Sequence, residues 1–408
     1  MKRELNFEVM RTVAMFFIVV YHCLTHGIGD GYGFSVSNPT TLSNLMFSDF
    51  LLVFSSIAVN LYVMVSGYFL VDLNFKMSRM VRTWTYACFY SVAITLLFMS
   101  LQIEPFCIVA LGKSFFPIST DAYWFVTQYI GLLILSPFLA ILVKQLSYKQ
   151  HLWLLIGGAF ICLALIPDFP LAKRFHVAHG NSVWSFAYLF LVAGFIKHYL
   201  KRIPMVWLMT AALFVTLLTM GCEIFFGYQN DSIHLFWFNY NGLPFVLSVI
   251  VFIIIRQMQM AESGIWEILA KLAPYTFGVY LIHDHLMMRG WIWNKVSLTS
   301  VCDQWSYPLM VVGLCCLIFL VAAFIESIRK ELFTFLKIDN LITKVDRWSF
   351  YSKGSKQNPI SLAIVNTSRV FSVEKISGMD EWVPKMMNAF LSYAFCSNAR
   401  MSSILVSV

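Results

Sequence analysis

Arg11 and His22 have the side-chain types and the spacing for chemistry within one apolar element. They lie in LNFEVMRTVAMFFIVVYHCLTH, residues 5–26. Their separation is about three helical turns, so on a helix they fall within about 20° of each other and about 16 Å apart. Imidazole titrates near neutral pH and suits a general base or proton relay. Guanidinium matches phosphate oxygens and would hold an anionic group. Both side chains are costly against lipid, so a shared face implies a view into protein or water. Taken singly, each has a plainer reading: Arg11 snorkels to the headgroups and His22 sits at the opposite interface.

Other segments offer partners. In AVNLYVMVSGYFL, residues 58–70, Asn60 and Ser66 are polar, and Gly67 permits close helix approach. Lys76, Arg79 and Arg82 follow. Arg79 and Arg82 are three apart and face one way on a helix, either as a phosphate clamp or as ordinary loop charge. Trp124 and Tyr129 open a later apolar run, where an interfacial aromatic belt is the default. In LAPYTFGVYLIHDHL, residues 272–286, Tyr280 and His283 share a face. His283 and His285 point about 200° apart on a helix and cannot chelate one metal. Asp284 and His285 read as outer-boundary residues. The cysteines fall mostly in apolar runs and none forms a CxxC pair, so neither a disulfide framework nor a zinc site is expected. GIGDGYG, residues 27–33, lacks the strand and helix of a phosphate loop and reads as a flexible extracytoplasmic loop.

The elements that must position these groups are membrane helices. The 408 residues are 59% apolar and 12% charged, against about 25% charged in soluble domains. The expected fold is all-α, a polytopic integral-membrane helical bundle. It has about ten spans, near residues 7–26, 45–71, 83–101, 122–143, 151–167, 183–200, 205–227, 241–257, 266–288 and 306–327. The ninth is interrupted by Lys271 and Pro274. With the N-terminus in the cytoplasm, the Lys and Arg excess falls on inside loops and puts both termini inside. That bias accounts for the net charge of +8. No basic tract interleaved with aromatics points to nucleic acid. Arg11 interrupts the first run and no A-x-A site follows, so an uncleaved span is expected rather than a signal peptide. Residues 1–345 form the membrane domain. Residues 346–408 read as a cytoplasmic tail, with a linker at Tyr351–Pro359 and a short surface-helix candidate at Trp382–Phe395.

Together these segments resemble acyltransferase family 3, the bacterial integral-membrane O-acyltransferases. Arg11–x10–His22 matches that family's first-helix motif. The run Asn60–Leu70 is similar to its second-helix pattern ending in S-G-[FY]-[LF]. Arg79–x2–Arg82 matches its basic motif, Tyr123-Trp124-Phe125 its W-F element, and Tyr280-Leu-Ile-His283 its Y-L-x-H motif. The resemblance runs in order over residues 5–327. It implies a multi-pass protein of the bacterial cytoplasmic membrane. Such a protein moves an acyl group, usually acetyl, from cytoplasmic acetyl-CoA to a hydroxyl of a cell-surface or envelope carbohydrate. Acetyl-CoA is then a substrate, with no permanently bound cofactor, and the acceptor is a surface polysaccharide or lipid-linked sugar. His22 and Arg11 become the catalytic candidates and Arg79 and Arg82 the CoA-binding ones, with Asn60, Ser66, Trp124, Tyr280 and His283 as further interior residues. The competing class is a transporter or exporter of polysaccharide or small solutes, with the same residues lining a path. The lack of internal repeats counts against it.

Overall fold

The computed structural model of the chain describes residues 4–28, 34–35, 37–120, 122–162, 181–229, 232–233, 242–296 and 298–347. Most of the glycine-rich loop, Lys173, Arg174, the linker and the segment Trp382–Phe395 lie outside the described residues. The helices in chain order are α1 (Leu5–Gly27), α2 (Pro39–Ser56), α3 (Ala58–Leu70), α4 (Met77–Ser100), α5 (Ile108–Ser114), α6 (Trp124–Gln145) and α7 (Tyr148–Cys162). They continue as α8 (Val183–Tyr199), α9 (Met205–Gly227), α10 (Gly242–Gln257), α11 (Gly264–Leu272), α12 (Thr276–His283), α13 (Leu286–Lys295), α14 (Tyr307–Phe335) and α15 (Ile338–Lys344). The two-residue strands Phe34–Ser35, Ser232–Ile233 and Tyr228–Gln229 pair antiparallel in that order.

Seven helical stretches among the described residues are long and apolar enough to cross a bilayer, and α8 and α10 are shorter apolar helices. The expected second span is two successive helices, α2 and α3, and the ninth is α11 and α12. The expected fifth span corresponds to α7, described as far as Cys162. A bundle with this many apolar helices is a multi-pass membrane protein. Its outer surface agrees: Trp207, Leu213, Phe214 and Leu217 on α9, and Leu309, Leu317, Leu320 and Phe324 on α14, are exposed.

The core surrounds α1. Phe7, Met10, Met15, Val19 and Cys23 are all almost fully buried, although they point to different sides of the helix. It packs against α2, α3, α10, α11, α12 and α14. At the starting end of α1, the Asn6 side-chain amide donates to the carbonyls of Ile255 (2.9 Å) and Met258 (2.6 Å), just where α10 ends.

Two breaks matter for the site. The chain turns at Ile57 without Gly or Pro. Ser55 Oγ donates to the Leu51 carbonyl (2.6 Å) and Ser56 Oγ to that of Val53 (2.7 Å), back-bonds that bend a helix. The second break is the 3₁₀ turn Ala273–Tyr275, where Pro274 cannot supply the helical N–H and α11 gives way to α12. Gly67 does allow close approach: a Cβ there would lie 2.9 Å from Phe190 Cα on α8.

A buried ionic cluster ties α14 to α4. Arg329 donates to Glu326 through Nε (2.8 Å) and Nη2 (2.6 Å), and the Tyr90 hydroxyl donates to Glu326 Oε2 (2.6 Å). The Arg329 guanidinium also lies 3.9 Å from the Tyr86 ring centroid. Arg329 is buried in a helix that runs on to Phe335.

Candidate active site

One face of α1 opens on a cavity of about 280 Å³. Met15, Ile18 and His22 recur at helical spacing and line it, followed by Thr25 and His26 one turn on. Ser55, Ser56, Val59 and Tyr62 line it from the α2–α3 break, and Trp124 and Phe125 from the start of α6. Phe277 and Tyr280 of α12 complete the wall, with Asp284 and Arg289 just beyond it. Ser55 and Ser56 thus bring two hydroxyl groups close to the wall where α2 gives way to α3.

His22 is 8% exposed and stands among polar groups. Its Nδ1 is 2.9 Å from His283 Nε2 and 3.5 Å from Asp284 Oδ1. Arg289 Nε sits 3.1 Å from the same carboxylate oxygen, and Arg289 Nη2 donates to the Asp284 main-chain carbonyl at 3.2 Å. His283 Nδ1 lies 2.6 Å from the carbonyl oxygen of Val279, one turn back on α12. The Tyr123 hydroxyl donates to the Leu281 carbonyl at 2.9 Å and pins α12 to the start of α6.

Asp284 and His285, read from the sequence as outer-boundary residues, face the protein interior. Both are buried, at 1% and 4% exposure. Helix α12 ends at His283, and the chain turns before α13 begins at Leu286. The turn folds Asp284 back under His22, and His285 caps α13 by accepting the Met287 N–H (3.3 Å). Trp124 and Tyr129 make inward contacts: Trp124 lines the cavity, and the Tyr129 hydroxyl lies 3.1 Å from Ser66 Oγ.

The remaining candidates sit nearer the starting end of α1. Arg11 is on the His22 face below the cavity lining, and its Nη1 pairs with Glu8 at 2.8 Å. The Tyr62 hydroxyl, which lines the cavity, bonds Thr276 (3.2 Å) and lies within electrostatic reach of Arg11, Glu8 and Tyr129. Ser66 Oγ also donates to the Tyr62 carbonyl (3.2 Å), so Tyr62, Ser66 and Tyr129 are joined by hydrogen bonds beside the cavity. Arg79 Nη1 donates to the Asn74 carbonyl (3.0 Å). Arg82 is set apart, its Nε paired with Asp339 at 3.1 Å. Asn60 is half-buried on α3 and does not line the cavity.

The structure therefore brings His22, Trp124, Tyr280 and His283 together and leaves Asn60 and Arg82 outside the group. It adds Asp284, Arg289 and His26. The legible signal for these was a carboxylate and a guanidinium five residues apart at the end of an apolar run, a costly pair in lipid unless buried together. A histidine backed by a second imidazole and a carboxylate can take up and return a proton.

No curated protein and no solved structure matches the chain. A family model, described as an acyltransferase domain, matches residues 4–327 and so spans α1 through most of α14. The chain belongs to acyltransferase family 3.

Proposed function

We propose that this protein is a membrane-bound O-acyltransferase. It moves an acyl group, acetyl by family expectation, from cytoplasmic acyl-CoA to a hydroxyl of a cell-surface or envelope carbohydrate. The membrane is the bacterial cytoplasmic membrane. The observation that carries this reading is His22, lining a cavity with His283 and Asp284 directly behind it.

In this reading the donor enters from the end that carries Arg11 and Arg79. Its phosphates are held there by charge-assisted hydrogen bonds, and its thioester reaches along Tyr62, Ser66 and Tyr129 into the cavity. The cavity of about 280 Å³ suits the thioester end and an acceptor hydroxyl, not the whole nucleotide. His22 removes the proton of the acceptor hydroxyl as its oxygen attacks the thioester carbonyl carbon. The carbon–sulfur bond then breaks, the electron pair leaves with sulfur, and the His22 proton goes to the thiolate. The products are the O-acyl ester and free CoA thiol, with no net proton gained or lost.

The test is transfer of radiolabelled acetyl from acetyl-CoA to the carbohydrate fraction in membrane vesicles that contain the native acceptor. His22→Ala should lower kcat by about 10²–10⁴-fold, as loss of a general base does, with expression and acetyl-CoA binding retained. Wild-type turnover by that variant would remove the role. In cells, deletion of the gene should remove one acyl increment from surface-glycan mass.

A further inference from the structure

We propose that His283 is a positioning residue: it fixes the proton of His22 on Nδ1 and so leaves Nε2 as the lone pair that faces the cavity. The inference rests on His22 as the base and assigns which of its two nitrogens acts.

The placement follows from donors and acceptors. A carbonyl oxygen only accepts, so His283 Nδ1, 2.6 Å from the Val279 carbonyl, carries a proton. In a neutral imidazole the other nitrogen then accepts. That nitrogen, His283 Nε2, stands 2.9 Å from His22 Nδ1, which must donate. Asp284 Oδ1, 3.5 Å from the same His22 nitrogen, favours a proton there by its charge. A doubly protonated His283 would reverse the bond, but it would be an ion at 0% exposure. The one adjacent carboxylate is already matched by Arg289 at 3.1 Å. With Nδ1 committed, Nε2 is the His22 ring nitrogen left to the cavity.

This matters because a free neutral histidine side chain favours the opposite tautomer, with the proton on Nε2. Such a ring would present the cavity with a donor in place of a base. The device has a second benefit. When Nε2 takes the acceptor proton, the imidazolium already has its Nδ1–H in a hydrogen bond with a carboxylate close by, so nothing need rotate. His26, with its ring centroid 5.7 Å from that of His22, and Arg289 are the other titratable or charged groups nearby.

The test uses the full-length protein in lipid nanodiscs with ¹⁵N-labelled histidine, and His22 assigned by loss of its signals in His22→Gln. The wild type should show a protonated Nδ1 and an unprotonated Nε2. His283→Leu removes the acceptor at similar volume. It should move proton density to Nε2 and lower kcat by at least about tenfold, with the KM for acetyl-CoA within about threefold. His283→Gln places an amide oxygen near the former Nε2 and should recover both the Nδ1–H signature and most of the rate. A protonated Nε2 in the wild type would overturn the proposal, as would a His283→Leu protein with unchanged kcat. A Gln variant as impaired as the Leu variant would also overturn it, because packing alone would then explain the loss. Full activity in His22→Ala would instead remove the base reading, while the nitrogen spectrum still decides where the proton sits.

Discussion

Asp284→Asn isolates the electrostatic part of the site with little change in shape. Two effects add. The carboxylate 3.5 Å from His22 Nδ1 no longer offsets the positive charge that forms on the ring as it takes the acceptor proton. At an effective dielectric constant of 20 that attraction is about 5 kcal/mol, an upper figure because cavity water screens it. Arg289, formerly matched at 3.1 Å, also remains beside the ring as an unopposed cation. The Asn carbonyl retains part of the dipole. A net rise in barrier of about 3–4 kcal/mol is expected, a fall in kcat of about 10²–10³-fold at tenfold per 1.36 kcal/mol. The assay is acetyl transfer to the carbohydrate fraction at saturating acetyl-CoA, with equal amounts of monodisperse protein. The sign of a second change makes the test specific. Arg289→Gln added to Asp284→Asn removes the leftover cation and should restore about tenfold of the loss. An Asp284→Asn protein within about threefold of wild type would refute the reasoning, and so would a double variant slower than the single one.

Three further outcomes follow from the packing and the charges. Gly278 faces Glu326 so closely that a Cβ would fall within the carboxylate, which is held by Arg329 and Tyr90. Gly278→Ala should therefore cost about 1–3 kcal/mol, seen as an earlier thermal transition in detergent and as lower activity, because α12 carries His283. Arg79→Ala should raise the KM for acyl-CoA by about 10-fold or more with a small change in kcat, the loss of one charge-assisted hydrogen bond. Arg82→Ala should change KM less, because Asp339 already engages that guanidinium. At the loop between α3 and α4, partial burial pushes the Asp72 carboxyl up. The hydrogen bonds and charges of Lys197 (2.7 Å) and His198 (3.3 Å) outweigh that and hold it below the usual carboxylate range. Its contribution is present above the unfolded value near pH 4 and is lost as pH falls through the lower folded value. Asp72 is 44% exposed, so Asp72→Asn should lower the melting temperature at pH 7 by only about 2 °C, and the difference from wild type should shrink as pH falls through the lowered folded value.

What could be read from the chain, and what could not, divides along the range of the interactions. The His22 face of α1 was legible because an uninterrupted apolar helix fixes direction by spacing alone, and Met15, Ile18 and His22 keep that spacing at the cavity wall. Gly67 was legible because only a missing side chain lets two helices approach as closely as α3 and α8 do. The burial of Asp284 was not legible. Apolar periodicity carried a helix past His283, whereas the chain turns there, and nothing in HDHL encodes the angle. The Ile57 break was hidden for a similar reason, since it rests on serine back-bonds with no proline or glycine to mark it. The burial of Arg329 was not legible, because the groups around it, Tyr86 and Tyr90, lie on α4, far away in sequence. The same limit reaches the chemistry. Spacing within α1 says where the His22 ring points, but the side of the ring that holds the proton is decided by His283, 261 residues on, and by a main-chain carbonyl of α12. A first-helix histidine without such a partner would have the same motif and the same face, yet could present the wrong nitrogen. Base strength at this position is therefore a property of the α1–α12 contact, and any change that slides α12 along α1 should lower activity even where every named side chain is kept.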